Sequence, residues 1–422
     1  MSRLHVGIDV GSLTSSLLGK MSKSPSMSSR CCIFEAPQIL KRHNEKAYIP
    51  DAFSIGPFHH DKARLKDTEK VKLEYLHALI NRSPNPTQKL GEMIEDIAEV
   101  EGEARGCYAP PIGRPSNEFA EILVLDGCFI IELFLRHTNR ELRDMNDPVF
   151  TISFMLQLLY HDLCLLENQM PWFVLERLFH TTSHLENLSL SLVQLALKFF
   201  DHIFQSIPLS SNKSLECLRG SKHILDLLRN SLIFSTTNTE GDTHGWQPIP
   251  SAGILEEVGI KFTRVNSILN SNILDIKFHN GVLEIPPLLI QETTETVFRN
   301  LICFEQCQPN CRPVITSYAI LFDNLINTAK DVNILLEKEI IDNWLNLEDA
   351  TRFFNKLFLD TYVKEYYFLE FNKQINSYCR GYWPSLRAYL VRNYILTPMG
   401  IVSQVAAFIL NVCTVFQTFF KK

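Results

Sequence analysis

The sequence has few glycines for its length. It contains 17 glycines among 422 residues, against 28 phenylalanines, and 45% of its residues are hydrophobic. A chain with little glycine and many large apolar side chains suits packed helices better than a fold with many tight turns. The chain is also long enough to bury a sizeable core. We therefore expect a mainly α protein, built as a large multi-helix globular domain.

The sequence also lacks the common short motifs of catalysis and nucleotide binding. It has no Gly-rich phosphate loop and no Gly-x-Ser-x-Gly nucleophile turn. Its 11 cysteines show neither disulfide-framework nor zinc spacing, so we expect buried free thiols. The formal net charge of -6 argues against a nucleic-acid-binding surface. The sequence thus predicts no catalytic residue, no cofactor, no metal and no nucleic-acid partner.

Two further groups of residues have both a structural and a functional interpretation. Cys303, Cys307 and Cys311 repeat every four residues, but two nearby prolines predict that their helix ends before the third cysteine. Asp126 and Glu132 lie in a strongly apolar segment that we interpret as a core helix. Buried carboxylates of this kind more often cap or pair within a helical core than act as catalytic acids.

One polar pocket remains as an alternative to a non-catalytic protein. His59, His60 and Asp61 are adjacent in sequence, and three neighbours rarely converge on one metal ion. Glu167 and Asn168 come just before a predicted helix and would cap it. The functional alternative is an uncharacterised enzyme in which His59, His60, Glu167 and Asn168 line one pocket. That hypothesis requires their side chains to converge and their pKa values to shift.

Charged residues are absent from Asn393 to Phe420. The core of this stretch has about the 20 residues that a helix needs to cross a bilayer. Tyrosines, a tryptophan and arginines precede it, as at a membrane interface. We therefore expect a transmembrane helix at 396–420, and a single-pass protein of the plasma membrane or an endomembrane. The alternative is a buried C-terminal helix, because six polar residues interrupt the run.

The side of the membrane is not determined by the sequence. Arginines precede the apolar stretch and two lysines follow it, so the positive charges nearly balance. The N-terminus has no good signal-peptide pattern. Three Asn-x-Ser sequons, at Asn81, Asn187 and Asn212, matter only if the bulk of the chain faces away from the cytosol.

The remaining chain divides by composition. Residues 1–30 are rich in serine and poor in periodic apolar positions, which predicts a disordered tail. Residues 31–392 carry helical patterns throughout and predict the globular domain. Within it, 208–250 is a polar stretch that we interpret as a surface region with one short helix. Residues 273–286 predict a β-hairpin around Asn280-Gly281.

Several blocks of sequence occur in the order found in a known family. They are rich in apolar residues that are interrupted by polar side chains. The blocks are Cys32–Pro37, Tyr48–His60, Leu125–Leu133, Asp162–Leu175, Ala252–Phe262, Leu274–Phe278, Leu283–Pro287 and Phe298–Cys307.

On these blocks the chain resembles the plant domain-of-unknown-function 247 family, also called uncharacterised protein family 0481. The resemblance runs from about Cys31 to the C-terminus. It implies a mostly helical protein with one C-terminal transmembrane segment. Some grass members are implicated in self-incompatibility, a recognition function between pollen and stigma, and no reaction is attached to the family. We therefore expect a membrane-anchored interaction, recognition or signalling protein without catalysis, with an unidentified protein partner.

Overall fold

A computed structural model describes residues 9–23, 28–182, 190–201, 218–233, 246–265, 272–343, 345–392 and 398–419. The described residues form 18 α-helices, and they confirm the prediction of a mainly α protein. The helices are α1 (Val10–Lys23), α2 (Gln38–Lys41), α3 (Lys66–Ile80), α4 (Pro86–Arg105), α5 (Ser116–Thr138), α6 (Pro148–Thr151), α7 (Met155–Leu163), α8 (Trp172–Thr182), α9 (Leu192–Phe199), α10 (Ile224–Ile233), α11 (Ala252–Glu257), α12 (Glu292–Cys307), α13 (Val314–Leu325), α14 (Ala329–Glu337), α15 (Leu347–Leu357), α16 (Leu369–Cys379), α17 (Tyr382–Leu390) and α18 (Pro398–Phe419).

Short strands and 3₁₀ turns connect these helices. The strands are β1 (Ile33–Phe34), β2 (Tyr108–Ala109), β3 (Lys261–Arg264), β4 (Lys277–His279), β5 (Val282–Ile285), β6 (Leu288–Ile290) and β7 (Ile341–Asn343). They pair as β1 with β2, β3 with β5 and β4, and β6 with β7. The 3₁₀ helices are Glu45–Tyr48, Ala63–Leu65 and Arg140–Leu142.

Two long helices organise the core. Helix α5 packs against α3, α4, α8 and α9, and it is buried on nearly all sides from Phe119 to Arg136. A helix that is apolar all round has no face to offer to water, so burial inside a bundle is its stable position. Helix α12 is the second centre and packs against α7, α10, α13 and α15. The predicted core helix at α5 is therefore confirmed.

The chain between residues 47 and 56 lies against both of these helices. Phe53 stacks on Phe129 of α5, with ring centroids 5.2 Å apart. The carbonyl oxygen of Ala47 accepts a hydrogen bond from the side-chain amide of Asn300 on α12, at 2.6 Å. Because this segment is irregular and buried, its backbone groups need partners other than water. Side chains provide those partners, as described below.

The hairpin predicted at 273–286 is present. Strands β4 and β5 pair antiparallel, and Asn280 and Gly281 both have positive φ, 51° and 76°. Two positive φ values in a two-residue turn match the twist of a hairpin. The first strand begins only at Lys277, because Ile273 and Leu274 form a turn. Strand β3 adds to β5 in parallel, a long-range pairing that local sequence patterns do not predict.

Two other regions differ in detail from the sequence-based expectations. Helix α1 lies within the segment predicted as a disordered tail, and its described side chains are almost all exposed. Within the predicted surface region 208–250, the structure describes 218–233 and 246–250. Helix α10 in that region is buried, because its leucines pack toward α9 and α12. Only part of the polar region is therefore surface.

The C-terminal helix α18 spans Pro398–Phe419. Its described side chains, at 406–416, are all exposed. Polar residues such as Asn411 and Thr414 interrupt its apolar run. Among the helices in the described part of the chain, none is long and apolar enough to cross a membrane. The transmembrane helix predicted at 396–420 is therefore not supported.

Candidate functional site

The first polar cluster surrounds the backbone of residues 51–53. The carboxylate of Asp162, at the end of α7, accepts the backbone N–H groups of Asp51, Ala52 and Phe53 at 2.7, 2.8 and 2.7 Å. Asp162 is fully buried. A buried carboxylate that receives three N–H donors replaces the water those amides would otherwise bind. Asp162 therefore holds the entry to this segment in place.

Asn168 holds the next turn of the same segment. Its side-chain oxygen accepts the N–H of Ile55 at 2.7 Å, and its amide donates to the carbonyls of Phe53 and Asp162, both at 2.9 Å. Asn168 is fully buried. Both amide hydrogens and the oxygen are thus engaged with main-chain groups of residues 53, 55 and 162. The sequence predicts that Asn168 caps the helix that follows it, and the structure instead shows it holding a distant segment.

Asp126 of α5 is the third side chain that holds this segment. We call Asp126, Asp162 and Asn168 together the clamp. Its oxygens accept the N–H of Gly56 at 2.7 Å and the ammonium of Lys72 at 2.6 Å. Lys72 also donates to the carbonyl of Ser54. Burial raises the pKa of Asp126, although Lys72 and the Gly56 amide act against this. Gly56 has a φ of +72°, and an added Cβ would lie 2.5 Å from the carbonyl oxygen of Gln169.

Glu167 and His59 meet beside this clamp. Glu167 accepts the N–H of Ala36 at 2.8 Å and lies 2.5 Å from the Lys41 ammonium. His59 Nε2 lies 3.3 Å from the second carboxylate oxygen, but neither ring nitrogen makes a hydrogen bond of ordinary geometry. Burial favours a higher pKa for Glu167, yet His59, Lys41 and the Ala36 amide together hold that pKa below its usual value.

The structure thus brings together two of the residues predicted to line one pocket, His59 and Glu167. Asn168 instead faces the backbone of 53–55, and His60 is half-buried with its Nδ1 atom unpaired. Asp61 is exposed and pairs with Arg114. The adjacent residues 59–61 therefore do not converge on a common point.

The other carboxylate of the apolar segment, Glu132, belongs to a buried ion network. It pairs with Arg82 and accepts from Arg136 at 2.8 Å. Arg136 also donates to Asp147 at 2.7 Å, and the Tyr75 hydroxyl donates to the same carboxylate at 2.8 Å. Such a network joins α3 to α5 and the loop after α5, and every member has a partner.

A metal site would need several His, Cys, Asp or Glu side chains close together. Within the described ranges, one trio places its ligand atoms within 4.8 Å of one another, namely Asp51, His161 and Asp162. The oxygens of Asp162 already accept three backbone amides, which leaves little capacity for an ion.

Helix α12 ends at Cys307, as predicted, so Cys311 lies beyond it. The cysteines within the described ranges are free thiols.

An open pocket of about 310 Å³ is lined by residues outside the sequence blocks shared with the family. Asp323, in the last turn of α13, is its one acidic residue, and burial raises the pKa of this carboxyl to about 6. Tyr366 is 2% exposed, and its hydroxyl is buried beside Trp246 and Asn372. The pocket is lined by Trp246, Ile320, Asp323, Asn324, Phe358, Thr361, Val363 and Tyr366.

The sequence analysis missed this pocket. One signal was available, since Asp323 has no Lys or Arg three or four residues away to pair with on its helix. The rings of the pocket come from distant parts of the chain, so their meeting is visible only in the fold.

A larger pocket, of about 600 Å³, lies beside α17. Lys261, Lys338 and Arg387 contribute positive charge to it, and Tyr378 and Trp383 contribute aromatic rings. Trp383 is 75% exposed. The guanidinium of Arg387 donates to two main-chain carbonyls, at 2.6 and 2.7 Å. This basic and aromatic surface immediately precedes the C-terminal helix.

Comparisons with known proteins agree with the resemblance found in the sequence. UPF0481 protein At3g47200 of Arabidopsis thaliana is 28% identical over 417 residues, which cover 92% of this chain and 85% of that protein. A second Arabidopsis thaliana relative, the putative UPF0481 protein At3g02645, is 22% identical over 482 residues, covering 92% and 89%. No solved structure matches. Residues 33–413 match the family DUF247, described as plant protein of unknown function, and the chain belongs to that family.

Proposed function

We propose that this chain is a non-catalytic recognition protein whose C-terminal segment attaches it to a membrane. The observation that carries the proposal is the exposed apolar surface of α18. Phe408, Leu410 and Phe416 are 70%, 67% and 60% exposed. Contiguous apolar surface of this kind marks a membrane or protein contact.

The surface that precedes α18 supports attachment at a membrane interface. Tyr382, Trp383 and Tyr389 are 75%, 75% and 56% exposed. Aromatic rings with one polar edge favour the headgroup region, and basic side chains favour anionic lipids. Lys261 and Lys338 beside these rings add positive charge. Interfacial aromatic and basic groups thus lie where the chain would meet the lipid.

The use of polar groups in the blocks shared with the family supports a structural role for those blocks. Asp126, Asp162 and Asn168 each hold main-chain amides of residues 51–56. A side chain that satisfies buried backbone groups is not free to bind substrate. The recognition role itself rests on the family resemblance, and the protein partner is unidentified.

Sedimentation of membranes at neutral pH and physiological salt tests the attachment, because the pellet retains a helix that lies on the bilayer as well as one that enters it. The full-length chain, expressed in plant cells, is expected to stay in the membrane pellet without extraction into the supernatant. Leu410→Asp places a charge on the apolar surface and is expected to move most of the protein to the supernatant, because a charge in the bilayer costs about 2.5–3.5 kcal/mol. Met145→Asp is the matched control, since Met145 is 95% exposed in a loop. Extraction of the unchanged chain would contradict the proposal.

The side of the membrane is tested on the same vesicles. Asn81 lies at the exposed end of α3 and is the one described sequon. A glycosidase-sensitive shift that Asn81→Gln reduces, together with protection from added protease, places the domain outside the cytosol. Cleavage without a shift places it in the cytosol and directs the search for partners there.

An enzyme using His59 and Glu167 is the second candidate function. One observation favours it, because the ring nitrogens of buried His59 lie near a carboxylate without making hydrogen bonds. A general base must lie close to hydrogen-bond distance of its proton donor or acceptor, and His59 Nε2 lies 3.3 Å from the Glu167 carboxylate. A titration followed by NMR would show whether the His59 ring changes protonation between about pH 5 and 8. A ring that does not titrate in that range removes this candidate.

A further inference from the structure

The pocket beside Trp246 combines aromatic walls with an acidic group. Trp246, Phe358 and Tyr366 supply rings, and Asp323 supplies the carboxyl. The rings of Trp246 and Tyr366 have centroids 5.1 Å apart and planes inclined at 58°. Aromatic faces attract cations through their negative quadrupole, and several rings around one point are typical of sites for organic ammonium groups.

The position of Asp323 increases the negative potential in the pocket. Asp323 lies in the last turn of α13, where the helix dipole already contributes a partial negative charge. Burial is the cause of its raised pKa, and no cation in the described part of the chain offsets it. Other buried carboxylates of this chain, such as Asp126 and Glu132, have cationic partners. Asp323 is therefore available to form an ion pair with a cationic ligand.

The ring of Tyr366 forms a deeply buried wall of the pocket. Tyr366 is 2% exposed, and its hydroxyl is buried beside Trp246 and Asn372. The ring, and not the hydroxyl, is therefore the part of Tyr366 that a ligand in the pocket would contact.

The aromatic wall is held in position before any ligand arrives. Asn372 donates to the carbonyl of Gln247 at 3.0 Å, and Arg380 donates to the Gln247 side chain at 2.6 Å. These bonds fix the residue next to Trp246 against α16. A volume of about 310 Å³ is at the small end of the range for ligand sites. The pocket is therefore preformed and suits a small ligand or a single side chain.

We propose that this pocket binds an organic ammonium group, whose charge pairs with Asp323 and whose alkyl substituents contact Trp246, Phe358 and Tyr366. The recognised chemistry, an alkylated ammonium group, is shared by small molecules such as choline and by methylated lysine side chains. The proposal goes beyond the proposed function and does not depend on the membrane attachment.

Calorimetric titration of the full-length chain in a maltoside detergent tests the proposal with two probes of equal shape. Choline carries the ammonium charge, and 3,3-dimethylbutan-1-ol replaces the nitrogen by carbon. Choline is expected to bind at least about tenfold more tightly, because the neutral probe lacks both the ion pair and the attraction to the rings. Equal affinity for the two probes would overturn the proposal, as would no saturable binding of choline at millimolar concentrations.

Variants then locate the binding. Asp323→Asn keeps the shape of the side chain and is expected to reduce the preference for choline, because the ion pair is lost while the attraction to the rings remains. Trp246→Leu is expected to weaken choline binding by about tenfold through loss of the ring. Asp275→Asn is the matched control, because Asp275 is paired with Lys277 on the hairpin and lines no part of this pocket. A preference for choline that is unchanged in the Asp323 variant would contradict the assignment of this pocket.

Discussion

The clamp around residues 51–56 and the pocket beside Trp246 use their polar side chains in opposite ways. In the clamp, the Asp162 carboxylate and the Asn168 amide are engaged with backbone groups. In the pocket, no cation of the described residues pairs with the Asp323 carboxyl. Polar groups that build a fold have their partners within it, whereas polar groups kept for a ligand are left without them.

This difference explains why the most recognisable parts of the sequence are not the best candidates for a binding site. The family blocks contain most of the polar residues that stand out in apolar surroundings. Those residues stand out because an irregular buried backbone needs them, at fixed positions, as hydrogen-bond partners. Trp246 and Asp323 lie outside the blocks, and no local pattern marks them.

The largest effect is expected from removing the carboxylate of the clamp. Asp162→Ala leaves the N–H groups of Asp51, Ala52 and Phe53 without their acceptor. At about 1–3 kcal/mol for each unsatisfied buried group, less where water can enter, we expect the free energy of unfolding to fall by about 4 kcal/mol. Denaturant unfolding measures this change.

Asp61→Ala is the control for the clamp. The Asp61 side chain is 77% exposed and pairs with Arg114 at the surface. Its removal is expected to change the free energy of unfolding by less than about 1 kcal/mol. Similar losses for the two variants would mean that the clamp contributes no more than a surface ion pair, and the comparison between the two regions would fail.

A smaller effect is expected from the turn that the clamp encloses. Gly56→Ala forces a Cβ to 2.5 Å from the carbonyl oxygen of Gln169 and requires an alanine at φ +72°. We expect a loss of about 2 kcal/mol in the free energy of unfolding. Gly91→Ala in α4 is the matched substitution, because its Cβ meets nothing within 4 Å. It should stabilise the protein by about 0.5–1 kcal/mol, so thermal unfolding should shift in opposite directions for the two variants.

The sequence alone predicted the helical class, the core helix α5 and the hairpin at Asn280-Gly281, because these depend on local patterns. It also predicted that Asp126 and Glu132 pair within the core. It did not predict that Asp162 and Asn168 hold residues 51–55, since those contacts join positions more than 100 residues apart. The pocket beside Trp246 was not predicted for the same reason, because Trp246, Asp323 and Tyr366 come from three separate parts of the chain.

The smallest effect, and the one of opposite sign, is expected at Asp323. Its pKa in the folded protein is about 6, above the value of about 3.9 for an unperturbed aspartate. Between these two pH values the folded state binds more protons than the unfolded state, so the free energy of unfolding falls as the pH rises through this window. Asp323→Asn removes the carboxylate whose ionisation lowers the free energy of unfolding. Because Asp323 is only partly buried, we expect a gain of about 1 kcal/mol near pH 7 that disappears near pH 4. Urea unfolding of both proteins across this range measures the gain. A variant that is less stable near pH 7, or a difference that does not vary with pH, would show that Asp323 has a partner in the fold and belongs with the clamp residues.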